Sequence, residues 1–158
     1  MTLAIGSPPP AFKATAAVSG RGVSESDLKG NGVLVVHGAK TADAAKEVSK
    51  AVRTKYPKTT DVFLASIVDL RSFAGIWKRV AEAQVKSTYE KLAAKATEAG
   101  MDPKEQVLIC PDWDGAIAQS LGVPEPDKEA AAIVVKGGKV VAIAKGKDVA
   151  GQVMAALP

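Results

Sequence analysis

The sequence predicts an α/β fold, on three observations. Short runs of apolar and β-branched residues recur along the chain: "VLVV" at 33–36, "DVFLASIVDL" at 61–70 and "QVLIC" at 106–110. Between them the apolar spacing lengthens to that of amphipathic helices. Near the end, "AAIVV" and "KVVAIA" flank "KGG", the turn chemistry of a β-hairpin. Strands that are apolar on both faces and alternate with helices belong to a parallel sheet covered by helices.

Taken in order, "GSPPPAF" is an extended lead-in, because Pro8 to Pro10 favour polyproline geometry. "KATAAVSGRGVS" alternates around Gly20-Arg21-Gly22 and predicts a small hairpin. Ser24 is placed to cap one helical turn that stops at Gly30 to Gly32. "VLVV" then reads as a central parallel strand. From Thr41 a helix follows, with Ala44, Ala45, Val48, Ala51 and Val52 on one face, and Pro57 ends it. "DVFLASIVDL" completes a βαβ unit, for which a right-handed crossover is expected.

A long helix is predicted from about residue 74 to Ala99, with Trp77, Val80, Ala81, Val85, Tyr89, Leu92 and Ala96 as its apolar stripe. Lys78, Glu82, Lys86 and Glu90 alternate in sign at four-residue spacing on the other side. Gly100 closes this helix, and Asp102-Pro103 begins a turn. "QVLIC" is the third strand and "DWDGAIAQSLG" a short capped helix ending at Gly122. After the hairpin, "KDVAGQVMAAL" ends the chain as a helix with Val149, Val153 and Leu157 on one face. Neither a repeat nor a low-complexity linker interrupts the pattern. One domain over 1–158 is expected, with 1–32 as extension and hairpin and 74–100 as a helical insertion.

Composition narrows the classes of function. At 158 residues the chain can bury a core without disulfides or a metal. Aromatics are only 4%, so Ala, Val, Leu and Ile must build that core. The net charge of +4 comes from cations scattered among acids rather than a basic stripe, which argues against nucleic-acid binding. Cys110 is the single cysteine, so no disulfide forms within the chain. No apolar run approaches the roughly 20 residues of a membrane span. "MTLAIGSPPP" lacks the pattern of a signal peptide, so a cytoplasmic protein is expected, or a periplasmic one if a leader was removed.

Four segments in order bring a family into view. "IGSPPPAF" resembles the redoxin opening Gly-x-x-Ala-Pro-x-Phe, and "VSESDLKGNGVLVV" resembles the family's Ser-x-x-Asp-Leu-x-Gly-Lys turn and first core strand. "DWDGAIAQSLGV" and "AAIVVKGGKVVAIAKG" resemble its later helix segment and closing hairpin. The chain thus resembles the thioredoxin-like redoxins, which include peroxiredoxins and thiol-disulfide oxidoreductases. The resemblance implies a thioredoxin-like fold with a long helical insertion after the second core strand. It also implies a Cys-x-x-Cys at 41–44, where this chain has Thr41-Ala42-Asp43-Ala44. A cis-proline should precede "AAIVV", and Glu129 and Ala130 stand there instead. In "VKSTYEKL" and "EAAAIVVKGGKVV" the chain is similar to YtfJ-type proteins, a group within this fold that lacks these cysteines.

The candidate site residues follow from that junction. Thr41 has neither the acidity nor the nucleophilicity of a thiol, and it is expected to cap its helix by bonding the amide of Asp43 or Ala44. Asp43 suits the helix dipole in the first turn. Cys110 ends the third strand, where a lone cysteine reads as a small buried hydrophobe or, alternatively, as a thiol at the ligand-binding edge of the sheet. His37 has no second ligand at metal spacing. Asp112 and Asp114 flank Trp113, and they read as helix caps before they read as an acid–base pair. No catalytic residue, metal or cofactor is expected. The expected function is non-catalytic: binding a protein partner through Lys40, Thr41, Asp43, Cys110, Asp112 and Trp113, with the "PEPDKE" loop at 124–129 on the same edge. The alternatives are a thiol peroxidase or redox sensor using Cys110, and a small-molecule carrier with a pocket between the long helix and the sheet. Partner identity and oligomeric state are not legible.

Overall fold

The structure is a computed structural model that describes residues 3–73 and 75–158. Its strands are β1 (Lys13–Thr15), β2 (Gly22–Ser24), β3 (Gly32–Gly38), β4 (Phe63–Asp69), β5 (Ile109–Asp112), β6 (Ala131–Lys136) and β7 (Lys139–Lys145). Its α-helices are α1 (Ala42–Lys55), α2 (Lys78–Glu98), α3 (Pro103–Gln106), α4 (Ala116–Ser120) and α5 (Val149–Ala156). Single 3₁₀ turns occupy Glu25–Leu28 and Gly75–Trp77. Five strands form one sheet in the order β5-β4-β3-β6-β7, with β3, β4 and β5 parallel and β6 and β7 antiparallel. The remaining pair, β1 and β2, is the expected hairpin.

The period of two in the strands divides the core into faces. Leu34, Val36, Ala65, Ile67, Cys110 and Ile133 point to one side, against Phe12, Val23 and Leu28 from the N-terminal segment and Ala118 and Leu121 from the α4 region. Val33, Val35, Leu64, Ala132 and Val134 point to the other, against Ala45, Val48 and Val52 of α1 and Val149, Val153 and Leu157 of α5. The faces predicted for α1 and α5 are therefore the faces that pack. With so few aromatics, close packing of branched aliphatics fills both layers.

The long helix departs from expectation in two ways. It begins at Lys78 rather than near 74, after the 3₁₀ turn in which Gly75 has a left-handed φ of +67°. Ala74 lies outside the described residues. The predicted stripe is also only partly buried. Ala81, Tyr89 and Ala96 are buried and Val85 is half-buried, whereas Trp77, Val80 and Leu92 are exposed. The reason is position. The α2 helix lies at the β5 end of the sheet, where only a narrow strip of it meets Phe73, Val107, Ile109 and Trp113. Val80 sits about 100° around the helix from Ala81 and faces away from that strip.

One further element was not predicted. Where Asp102-Pro103 suggested a turn, α3 forms one helical turn with Pro103 at its start and Asp102 Oδ1 accepting from the Lys104 amide at 3.0 Å. Arg21 ties the N-terminal hairpin to it, bridging Asp27 at 3.2 Å and Glu105 at 3.1 Å while lying over the Phe63 ring.

Truncating the core and the exposed part of the stripe should have opposite consequences. Leu34→Ala, at a fully buried position of β3, should cost about 2–5 kcal/mol in denaturant unfolding. Val80→Ala should stay within about 0.5 kcal/mol of the parent. A large loss at Val80 would return that residue to the core.

Candidate functional site

The site expected from the sequence lies at the C-terminal edge of the parallel strands, the usual binding edge of an α/β sheet. Gly38, Asp69 and Asp112 sit side by side there, in register across β3, β4 and β5. Just past Gly38 the chain turns through Ala39 and Lys40 into α1. The segment 124–129 then crosses in front of that turn, held at three points, two on the turn and one on Arg71. Thr41 Oγ1 donates to the Pro126 carbonyl at 2.6 Å. The Lys40 amide donates to Asp127 Oδ1 at 2.8 Å. The Arg71 guanidinium donates to the Pro124 carbonyl at 2.7 Å.

Thr41 thus departs from its expected role. It stands at the N-terminal end of α1, but its hydroxyl caps no helix amide. Instead it accepts from the Gly38 amide at 2.9 Å and gives its proton to Pro126. The Ala44 amide is satisfied by the Thr41 carbonyl at 3.1 Å. The hydroxyl oxygen is aimed at the Gly38 amide and its proton at the crossing loop, which leaves it no contact with a helix amide. Gly38 is required for the same approach. A Cβ there would meet Asp127 Cα at 2.7 Å and Cβ at 2.8 Å.

The two neighbouring carboxylates are held by different partners. Asp69 is buried and receives a forked contact from Arg71, with Nη2 to Oδ2 at 2.7 Å and Nε to Oδ1 at 3.0 Å. Asp112 is buried and accepts from the amides of Ile117 at 3.3 Å and Ala118 at 2.9 Å, the first turn of α4. Burial raises the Asp112 carboxyl above its ordinary value, opposed by those two amides. Asp114 Oδ1 accepts from the Ala116 amide at 3.0 Å. Both aspartates around Trp113 therefore act as caps, and neither has a free oxygen pair facing a common point.

The six candidate binding residues do not share one surface. Lys40 and Asp43 are exposed, and Thr41 and Trp113 are half-buried. Cys110 and Asp112 are buried, on the side of the sheet opposite Trp113. Trp113 folds onto Val68, Leu70, Ala81 and Val85, with Lys78 Nζ 4.9 Å from its ring centre. Burial pushes the Cys110 thiol up to about 12, the reverse of the depressed value a reactive thiol needs. His37 is buried with Nδ1 2.9 Å from the Gly38 carbonyl, and burial lowers its pKa. Among the described residues no group of three His, Cys, Asp or Glu side chains is gathered to hold a metal.

The sequence reading places the "PEPDKE" loop, 124–129, at this edge, but it misses Arg71 and the bonds by which Pro124, Pro126 and Asp127 close that loop onto the junction. In "PEPD" two prolines stiffen the loop before an aspartate. What it closes onto is a tertiary matter. The Asp112 cap gives a direct test of this geometry. Asp112→Ala leaves two amides at a buried helix start without a partner, and it should lower stability by about 1–3 kcal/mol. Thermal unfolding with unchanged Tm would remove Asp112 from that role.

No protein-family model matches the chain, and no curated protein does. Solved structures do. A thiol:disulfide interchange protein from a Bacteroides species is similar at 19% identity and TM-score 0.57, over 99% of this chain and 92% of that one. The thioredoxin domain of a thiol-disulfide oxidoreductase from Bacteroides vulgatus is similar at 18% and 0.57, over 99% and 100%. A secreted disulfide oxidoreductase of Mycobacterium tuberculosis is similar at 17% and 0.56, over 91% and 95%. Identities this low speak for the fold. With the strand order and the helices described above, they establish that this chain has a thioredoxin-like fold.

Proposed function

We propose that this protein is a non-catalytic member of the thioredoxin-like fold that works by binding another protein. The observation that carries the reading is the closed junction at Gly38 to Thr41. Where the fold's oxidoreductases place thiols, this chain has Thr41 and Ala44, and the Thr41 hydroxyl is spent on Pro126. The likeness to YtfJ-type proteins in "VKSTYEKL" and "EAAAIVVKGGKVV" accords with a fold that has left thiol chemistry. The face offered to a partner is the crossing loop and its rim: Lys40, Asp43, Glu125, Lys128 and the open edge of Trp113.

The rival readings have less behind them. A Cys110 peroxidase or sensor needs an accessible thiolate, and Cys110 is fully buried with a raised pKa. A small-molecule carrier needs a pocket between α2 and the sheet. The depression there, beside Val85, Pro111 and Trp113, holds about 210 Å³, below the usual ~300–1,000 Å³ of ligand sites.

The purified protein should neither reduce disulfides nor consume peroxide at enzymatic rates, with Cys110→Ser as the control. Turnover that disappears in Cys110→Ser would restore the thiol enzyme. A thiol reagent should label Cys110 slowly in native buffer and rapidly after denaturation. Affinity capture should recover a partner that a Lys40→Glu, Lys128→Glu variant of unchanged Tm fails to hold. Equal capture by that variant would contradict the proposed face.

A further inference from the structure

We propose that the 3₁₀ turn Gly75–Trp77 and the first turn of α2 form a docking point for an anionic lipid surface. Ile76, Trp77 and Val80 are 85%, 58% and 53% exposed, three of seven large hydrophobic residues left exposed among the described residues. Val80 is four residues from Ile76 and three from Trp77, about one helical turn, and Lys78 and Arg79 between them are also exposed. Between Asp69 and Glu82 the chain has no acid, while it has Arg71, Lys78 and Arg79. Asp69 is itself matched by Arg71 at 2.7 Å. The tip therefore combines two aliphatic side chains, an indole and two cations, with Glu82 one turn further along α2 and the Lys78 ammonium over the Trp113 ring.

Charge and area choose the occupant. A second copy meeting this tip across a two-fold axis would set Lys78 and Arg79 near their own counterparts. Three side chains also fall far short of the roughly 800 Å² that each partner of a stable interface contributes. A lipid surface imposes no such minimum. It accepts an aliphatic tip, holds Trp at the headgroup level and attracts adjacent Lys and Arg. No helix of the described residues is long and apolar enough to cross a membrane, so the contact is superficial. Further along α2 the exposed face turns to Glu82, Gln84 and Lys86, which confines the tip to one turn.

Flotation with vesicles tests the assignment, using phosphatidylcholine alone and phosphatidylcholine mixed with phosphatidylglycerol. The protein should float with the mixed vesicles at low salt and release as salt rises. In a Trp113→Phe background the remaining indole, Trp77, should shift its fluorescence to the blue on binding. Lys78→Gln with Arg79→Gln should weaken partition about 30-fold, as expected for two cations at about 1 kcal/mol each. Ile76→Ser with Trp77→Ser should abolish flotation without moving Tm. Failure of the parent to float with the mixed vesicles, or equal flotation by the Ile76→Ser, Trp77→Ser variant, would overturn the proposal. If the parent instead elutes as a dimer that the same double variant dissolves, the tip belongs to a second copy.

Discussion

Arg71 occupies the position on which the arrangement of the sheet edge turns. Asp69 is buried at the end of β4, and a buried carboxylate is costly unless a cation or several donors meet it. Arg71, two residues on, answers with a forked contact through Nε and Nη2. The same Nη2 reaches the Pro124 carbonyl, so the group that neutralises Asp69 also anchors the loop crossing the edge. Gly115 is fitted to this guanidinium. Its φ is +74°, and a Cβ would come within 2.7 Å of Arg71 Cζ. One ion pair thus joins the end of β4, the start of the α4 segment and the loop before β6.

The chemistry of the fold changes with that closure. A helix N-terminus at the end of a parallel strand stabilises an anion, which is how a thiolate is favoured at such a place. In this chain the strand and helix persist, but Asp127 takes up the Lys40 amide and Pro126 takes up the Thr41 hydroxyl. The Lys40 amide and the Thr41 hydroxyl are thus satisfied from within the molecule. The only thiol lies in the core, two residues before the edge on β5, among Ala118, Leu121 and Ile67. Its burial in an apolar layer stabilises the protonated form, so the potential nucleophile and the anion-stabilising helix end are kept apart.

Much of this fold was legible in the sequence because local patterns and tertiary packing agree. The apolar runs at 33–36 and 61–70, the α1 face of Ala45, Val48 and Val52, and the "KGGK" hairpin were all readable. The α2 stripe was misread because periodicity records which residues are apolar, not how much sheet lies opposite. Trp77 and Val80 fit the spacing, yet they are exposed, off the strip that packs on the β5 side of the sheet. At the candidate site the aspartates at 112 and 114 were readable as caps, since the acceptor lies within a few residues of its amides. Thr41 was not readable, because its partner is 85 residues away in sequence. Its hydroxyl could satisfy either a helix amide or a distant carbonyl, and only the fold decides.

The central claim is that the edge is held closed by the molecule's own loop, and the Lys40 amide reports it directly. Lys40 is exposed and lies outside any helix or strand, so without Asp127 its amide would exchange freely with solvent. Hydrogen exchange followed residue by residue should find that amide protected. In Asp127→Ala it should exchange roughly 10–100-fold faster, as expected from losing a hydrogen bond to a charged acceptor worth about 1.5–3 kcal/mol. The Ile67 amide in β4 should be unchanged in the same sample. A Lys40 amide that exchanges at the unprotected rate in the parent protein would contradict the closed edge.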